Sequence, residues 1–210
     1  MQRVKIWDAF VRLNHWLLVV LMVLMWYTAE EGYMELHLQL AGVVGALVIT
    51  RILWGFCGSE SARFSQFVRG PKAVTQHLKE FTQGQYQPAN THNAAGGLVV
   101  VVLLMTLLVQ FVSGLFATDD IFFSGPLASA VTRDTALLAM TIHKTTFNIL
   151  VGFVVLHVLA IVLYRLRGIN LVSAMVHGYR QGVPAPRIVS GLFGIITAAV
   201  IAAVLYQWIN

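Results

Sequence analysis

Residues 137–163 read LLAMTIHKTTFNILVGFVVLHVLAIVL, one apolar run that carries His143 and His157 fourteen positions apart. At 3.6 residues per turn the two fall on nearly the same helix face, offset by roughly 40°, and they stand about 21 Å apart along the axis. One ligand then faces each side of a bilayer. Imidazole is costly in hydrocarbon, so two of them on one stripe imply a partner at each depth, and an iron porphyrin is the leading candidate. A second axial ligand must come from another helix. The sequence supplies His15 and His37, at the ends of two further apolar runs. This pattern predicts a diheme b-type cytochrome.

Composition places the chain in a membrane without help from the histidines. With 58% hydrophobic residues, 11% charged residues and a mean hydropathy of +0.75, it has too few polar groups to coat a soluble globule of 210 residues. Apolar runs of about 20 residues span hydrocarbon as helices, which satisfy their own backbone hydrogen bonds. Five such runs are expected near 11–29, 37–57, 96–117, 137–164 and 188–208, the last following a Pro184-Ala185-Pro186 break. The predicted fold is an all-α integral membrane protein.

Charge orients the spans. With a cytoplasmic N-terminus, twelve of the 14 lysines and arginines fall on the inner side, and only Arg133 and Lys144 fall outside. That is a strong positive-inside pattern. Glu30, Glu31, Glu35, Asp119, Asp120 and Asp134 make the outer side acidic. Five spans then put the C-terminus on the periplasmic side. Trp26, Tyr27, Tyr33, Tyr206 and Trp208 would mark the outer interface, and Trp7, Trp16 and Trp54 the inner one.

Several classes are excluded. The net charge of +5 reads as an orientation device with attraction to anionic lipid; no basic segment interleaved with aromatics points to nucleic acid. Cys57 is the only cysteine, so intrachain disulfides, thiolate metal sites and covalent heme attachment through Cys-x-x-Cys-His are all ruled out. The first apolar run is interrupted by Asn14 and His15 and has no clear small-residue cleavage site, which fits a retained signal anchor. Between spans, Pro71 is expected to open a short helix whose Val74, Leu78 and Phe81 lie on the membrane surface, and Ser124-Gly125-Pro126 to form a turn.

Depth pairs the histidines. His15 matches His157 toward the inner side, and His37 matches His143 toward the outer side, provided that the 137–164 helix tilts or begins above the lipid boundary. His77, His92 and His177 fall in inner segments and read as surface residues, although His92, at the mouth of the third span, is within reach of an inner heme, its propionates or a quinone. Gly42, Gly45, Gly114 and Gly152 would let either a porphyrin or another helix approach closely. Arg12, Arg51, Arg165 and Lys144 are candidates to balance propionates or line a quinone site, with interface snorkelling as the alternative for the arginines. The third span has no histidine and reads as a packing helix.

The stretches Trp7-Asp8-Ala9-Phe10-Val11-Arg12-Leu13-Asn14-His15-Trp16, Arg51-Ile52-Leu53-Trp54-Gly55-Phe56, Arg63-Phe64-Ser65-Gln66-Phe67-Val68-Arg69-Gly70-Pro71 and His92-Asn93-Ala94-Ala95-Gly96-Gly97 resemble the bacterial cytochrome b561 and nickel-iron hydrogenase b-type cytochrome family. The similarity covers residues 1 to about 180. It implies a four-helix transmembrane heme-binding bundle over 1–180; the linker and additional C-terminal span over 181–210 depart from that four-helix pattern. It also implies two noncovalent, bis-histidine b hemes in a bacterial inner membrane. By resemblance His15, His37, His143 and His157 match the ligand positions. Electrons would pass in a respiratory chain between a periplasmic cytochrome or hydrogenase-like protein and membrane quinone, and a homo-oligomer is compatible with this. Two other readings stay open on the sequence: a proton-coupled carrier with a histidine relay, and a membrane anchor subunit of a hydrogenase-like complex.

Overall fold

The computed structural model describes residues 3–85 and 92–209, so the polar segment between the second and third spans is described except for 86–91. Five helices are long and apolar enough to cross a membrane: α1 (Ala9–Glu30), α2 (Met34–Cys57), α5 (Ala94–Phe116), α6 (Arg133–Leu166) and α8 (Gly191–Ile209). The chain is an all-α, multi-pass membrane protein, as its composition requires. Shorter helices α3 (Phe64–Phe67), α4 (Pro71–Thr82) and α7 (Leu171–His177) lie between the spans.

Local chemistry sets the starts. Asp8 caps α1 by accepting from the Val11 amide at 2.9 Å, Asn93 caps α5 by accepting from the Gly96 amide at 2.7 Å, and Pro71 occupies the first turn of α4. The 34-residue α6 is about 51 Å long, well beyond a hydrocarbon core of about 30 Å. It starts four residues before the apolar run, at Arg133, behind a Thr132 cap. That extension brings His143 more than two turns inside its helix yet level with His37, near the start of α2.

Helix α2 is the hub, packed on α1, α5 and α8. Asn14 of α1 donates to the Leu47 carbonyl of α2 at 2.9 Å, which satisfies a polar side chain that lipid would not. Gly42 admits Ile209 and Leu205 of α8, and a Cβ on Gly45 would overlap the Phe111 ring of α5. Both glycines therefore serve helix packing. Helix α6 follows a different rule: it lies along α5 and has no extensive contact with α1 or α2. A slot separates them.

The two ends of the bundle differ. At the basic end, strand β1 (Arg3–Lys5) pairs antiparallel with β2 (Tyr179–Gln181), and the Ile6 amide donates to the Gly178 carbonyl at 2.8 Å. Gly178 adopts φ +85°, a left-handed turn that favours glycine. Beneath it, Asp8 accepts from Trp54 Nε1 at 3.0 Å, joining the α1 cap to the last turns of α2. The start of α8 closes on the start of α1, where a Cβ on Gly191 or Gly194 would strike Ala9 and Phe10. At the acidic end, Asp119 accepts from the amides of Ile121, Phe122 and Phe123, which hold its carboxyl below the usual range and fix the α5–α6 turn.

Asp8, itself 1% exposed, thus holds both a helix cap and the buried Trp54 indole. Replacing it by alanine removes the cap and strands the Trp54 N–H, at a combined cost on the order of 2–4 kcal/mol. The thermal unfolding midpoint in detergent should fall clearly for Asp8→Ala; an unchanged midpoint would remove Asp8 from the account of this end.

Candidate functional site

Four histidines line the slot between α6 and the α1–α2 pair, two at each depth. His37 faces His143 with ring centroids 6.5 Å apart and planes at 76°; His15 faces His157 at 6.5 Å and 58°. Two imidazoles bound to opposite sides of one metal ion at about 2 Å each have centroids about 6 Å apart. Both pairs therefore stand at the separation that axial ligation demands. Among the described residues no group of three or more His, Cys, Asp or Glu could hold a metal, so a metal between either pair must bring its other ligands with it. A porphyrin does so.

The surroundings fit that group. His37 directs Nδ1 at the Met25 carbonyl, 3.0 Å away, and at Thr28 Oγ1, 3.1 Å away, both on α1. His143 directs Nδ1 at the Gln110 carbonyl at 2.9 Å and at Ser113 Oγ at 3.3 Å, both on α5. Such anchors leave Nε2 free to face a bound metal. His143 Nε2 lies 3.1 Å from the Gln110 side-chain nitrogen, which has to rotate aside for ligation; Gln110 Oε1 is buried with no partner to resist that movement. A Cβ on Gly152 would meet no atom within 4 Å, but this residue is exposed and lies about 180° around α6 from His143, so it does not line the slot. Gly114 has another task, because a Cβ there would lie 2.9 Å from His143 Cε1.

A family model described as prokaryotic cytochrome b561 matches residues 6–178, most of the chain. The chain belongs to the prokaryotic cytochrome b561 family. It is a membrane b-type cytochrome that works in electron transfer. No curated protein and no solved structure matches it. The matched segment ends before α8, so that helix lies outside the family pattern although it packs on α1 and α2.

The basic end holds a second group of polar residues. His92 packs against Phe67 at 4.4 Å and Trp7 at 4.9 Å, and its Nδ1 is buried with no partner. Burial and the Arg51 guanidinium push its pKa down to about 3, so the ring is neutral at physiological pH. Arg51 is buried, donates to the Ala62 carbonyl at 3.4 Å and lies over the Phe64 ring. Arg12 donates to the Val176 carbonyl at 2.7 Å. Lys144 is exposed on the face of α6 next to His143.

His77 differs from its surface reading. It is 8% exposed and shares a 2.8 Å hydrogen bond with Tyr164, which also accepts from Asn93 at 2.7 Å. Burial lowers the His77 pKa against an opposing pull from Glu80. Tyr164, which the sequence reading did not single out, lies seven residues beyond His157 on the same stripe of α6, and that spacing is the signal in the sequence that could have found it. The anchors Thr28, Gln110 and Ser113 were not legible there, and α5, expected only to pack, holds His143 in place.

Gly114→Ala should push the His143 ring off its Gln110 and Ser113 anchors and weaken heme retention at that level about tenfold. Transfer of heme to apomyoglobin checks this. Retention equal to the parent protein would contradict the assigned role of Gly114.

Proposed function

We propose that this chain is a diheme electron conduit of the bacterial inner membrane, with a cytoplasmic N-terminus and a periplasmic C-terminus. His37 and His143 hold one heme b at the acidic, periplasmic end, and His15 and His157 hold the other at the basic, cytoplasmic end. The observation that carries this reading is the repeated 6.5 Å facing of two imidazole pairs across one slot. Each heme supplies one-electron redox chemistry when bound, and the protein supplies position, axial nitrogen and local field.

The residues divide the remaining work. Carbonyl and hydroxyl anchors at the acidic end fix imidazole orientation. Lys144 at one level and Arg12 at the other place positive charge where propionates would lie. The acidic rim, with Glu30, Glu31, Asp119 and Asp120, suits a soluble periplasmic cytochrome or hydrogenase-like protein with a basic face. At the basic end, neutral His92 between Trp7 and Phe67 offers Nδ1 to a quinone carbonyl, and the buried Arg51 guanidinium beside it favours reduced, anionic quinone. Residues 1–180 would form the electron path, while 181–210 buttress α1 and α2 and could contact a partner or a second copy. A histidine relay for protons is disfavoured because each imidazole faces its own pair and the two levels stand about 21 Å apart.

His157→Ala should remove one heme and leave the His37–His143 heme with a bis-histidine spectrum, and His143→Ala should do the reverse. Heme-to-protein ratios and low-temperature spectra of both variants check this; joint loss of both hemes from each single variant would contradict independent sites.

His92→Ala should leave both heme spectra intact and slow reoxidation by a water-soluble quinone about tenfold in stopped flow. Unchanged kinetics would remove His92 from the quinone site, and a lost heme would make it a ligand in place of His15.

A further inference from the structure

The two levels share one ring separation but differ in what holds the rings. At the acidic end the same local device occurs twice, on two different helices. Thr28 bonds back to the Leu24 carbonyl at 2.9 Å and to the Met25 carbonyl, three residues earlier, at 3.1 Å, and His37 Nδ1 sits against Thr28 Oγ1 and the Met25 oxygen. Ser113 bonds back to the Gln110 carbonyl three residues earlier, also at 3.1 Å, and His143 Nδ1 sits against both. Each Nδ1–H therefore points into a carbonyl and a hydroxyl that are already tied together. Thr28 is 1% exposed and Ser113 7%, so neither acceptor is weakened by competing water.

The basic end has no counterpart. His15 Nδ1 is buried without a hydrogen-bond partner, and His157 makes no hydrogen bond among the described residues. Trp16 lies edge-on to His15 at 5.0 Å.

An imidazole whose N–H is drawn toward an acceptor becomes a more basic, more electron-donating ligand. Electron-rich axial ligands favour the ferric state and lower the reduction potential, and hydrogen bonding around the ligands is one of the levers by which a protein sets it. Two such ligands act on the same iron at the acidic end, and none at the basic end. We infer that Thr28 and Ser113, through His37 and His143, make the acidic-end heme the lower-potential member of the pair. This ordering rests on the diheme reading above. It concerns a one-electron exchange, ferrous to ferric at the acidic end and ferric to ferrous at the basic end, with no proton or further reactant required. Electron flow from the acidic rim to the basic rim is then the downhill direction. Thr28 and Ser113 are positioning residues: they touch the ligands and not the iron.

The test is a potentiometric titration of the purified holoprotein in lipid nanodiscs, with heme content measured on the same samples by acid-acetone extraction. The parent protein should carry two hemes and titrate in two waves. Thr28→Val with Ser113→Ala removes both hydroxyls at nearly constant shape, and should raise the lower wave while leaving the upper one in place. The expected size is about tenfold in the equilibrium between the hemes, or ~59 mV for a one-electron couple. Thr28→Ser with Ser113→Thr keeps the hydroxyls and should keep both waves. If the double variant sheds heme, Ser113→Ala alone should move the lower wave the same way by about threefold. Movement of the upper wave, or of neither, with two hemes retained would overturn the ordering alone. Fewer than two hemes in the parent protein would overturn the diheme reading and the ordering with it.

Discussion

A polar ring inside hydrocarbon must find a partner for each nitrogen, and that requirement governs this bundle. Among the other spans, helix α6, which carries two imidazoles on one stripe, packs extensively only on α5, which leaves its histidine face turned toward α1 and α2 across a slot. The rest follows from supplying those nitrogens. One side of each ring meets its facing imidazole at the distance a shared metal sets. At the acidic end the other side meets the Met25 and Gln110 carbonyls of α1 and α5, to which Thr28 and Ser113, three residues further on, also bond.

The slot needs rigid walls, and these are built by ordinary membrane packing. Asn14 bonds α1 to α2, Gly42 and Gly45 let α8 and α5 close on α2, and Asp8 fastens the first turn of α1 to Trp54. At the basic end the strand pair and the α4 helix tie the N-terminal arm and the end of α6 to the same platform. His77 and Asn93 grip Tyr164 there, and Arg167 donates to the Phe81 carbonyl while stacking on its ring. Aromatic and charged residues thus cluster where apolar helices give way to the interface, around His92 and Arg51.

Much of this was legible in the sequence, for identifiable reasons. Span lengths follow from hydropathy, so the five helices fall within a few residues of their expected bounds. The depth match of His15 with His157 and His37 with His143 follows from the 1.5 Å rise, and the structure brings each pair face to face. The glycines were ambiguous because the same small residue serves a cofactor or a helix; Gly42 and Gly45 pack helices, Gly114 seats His143, and Gly152 is exposed on the face of α6 turned away from the histidines. The anchors could not be read, since Met25 and Gln110 act through backbone oxygens that every residue possesses. His77 was misjudged as a surface histidine because its partner, Tyr164, is 87 positions away.

The central claim is that one chain holds two hemes, each between two histidines. Near-infrared magnetic circular dichroism of the oxidised protein, normalised to protein concentration, addresses ligand identity and stoichiometry together. The account predicts the charge-transfer band of bis-histidine ligation at an intensity of two hemes per chain. A band of histidine–methionine ligation, or the intensity of a single heme, would contradict it.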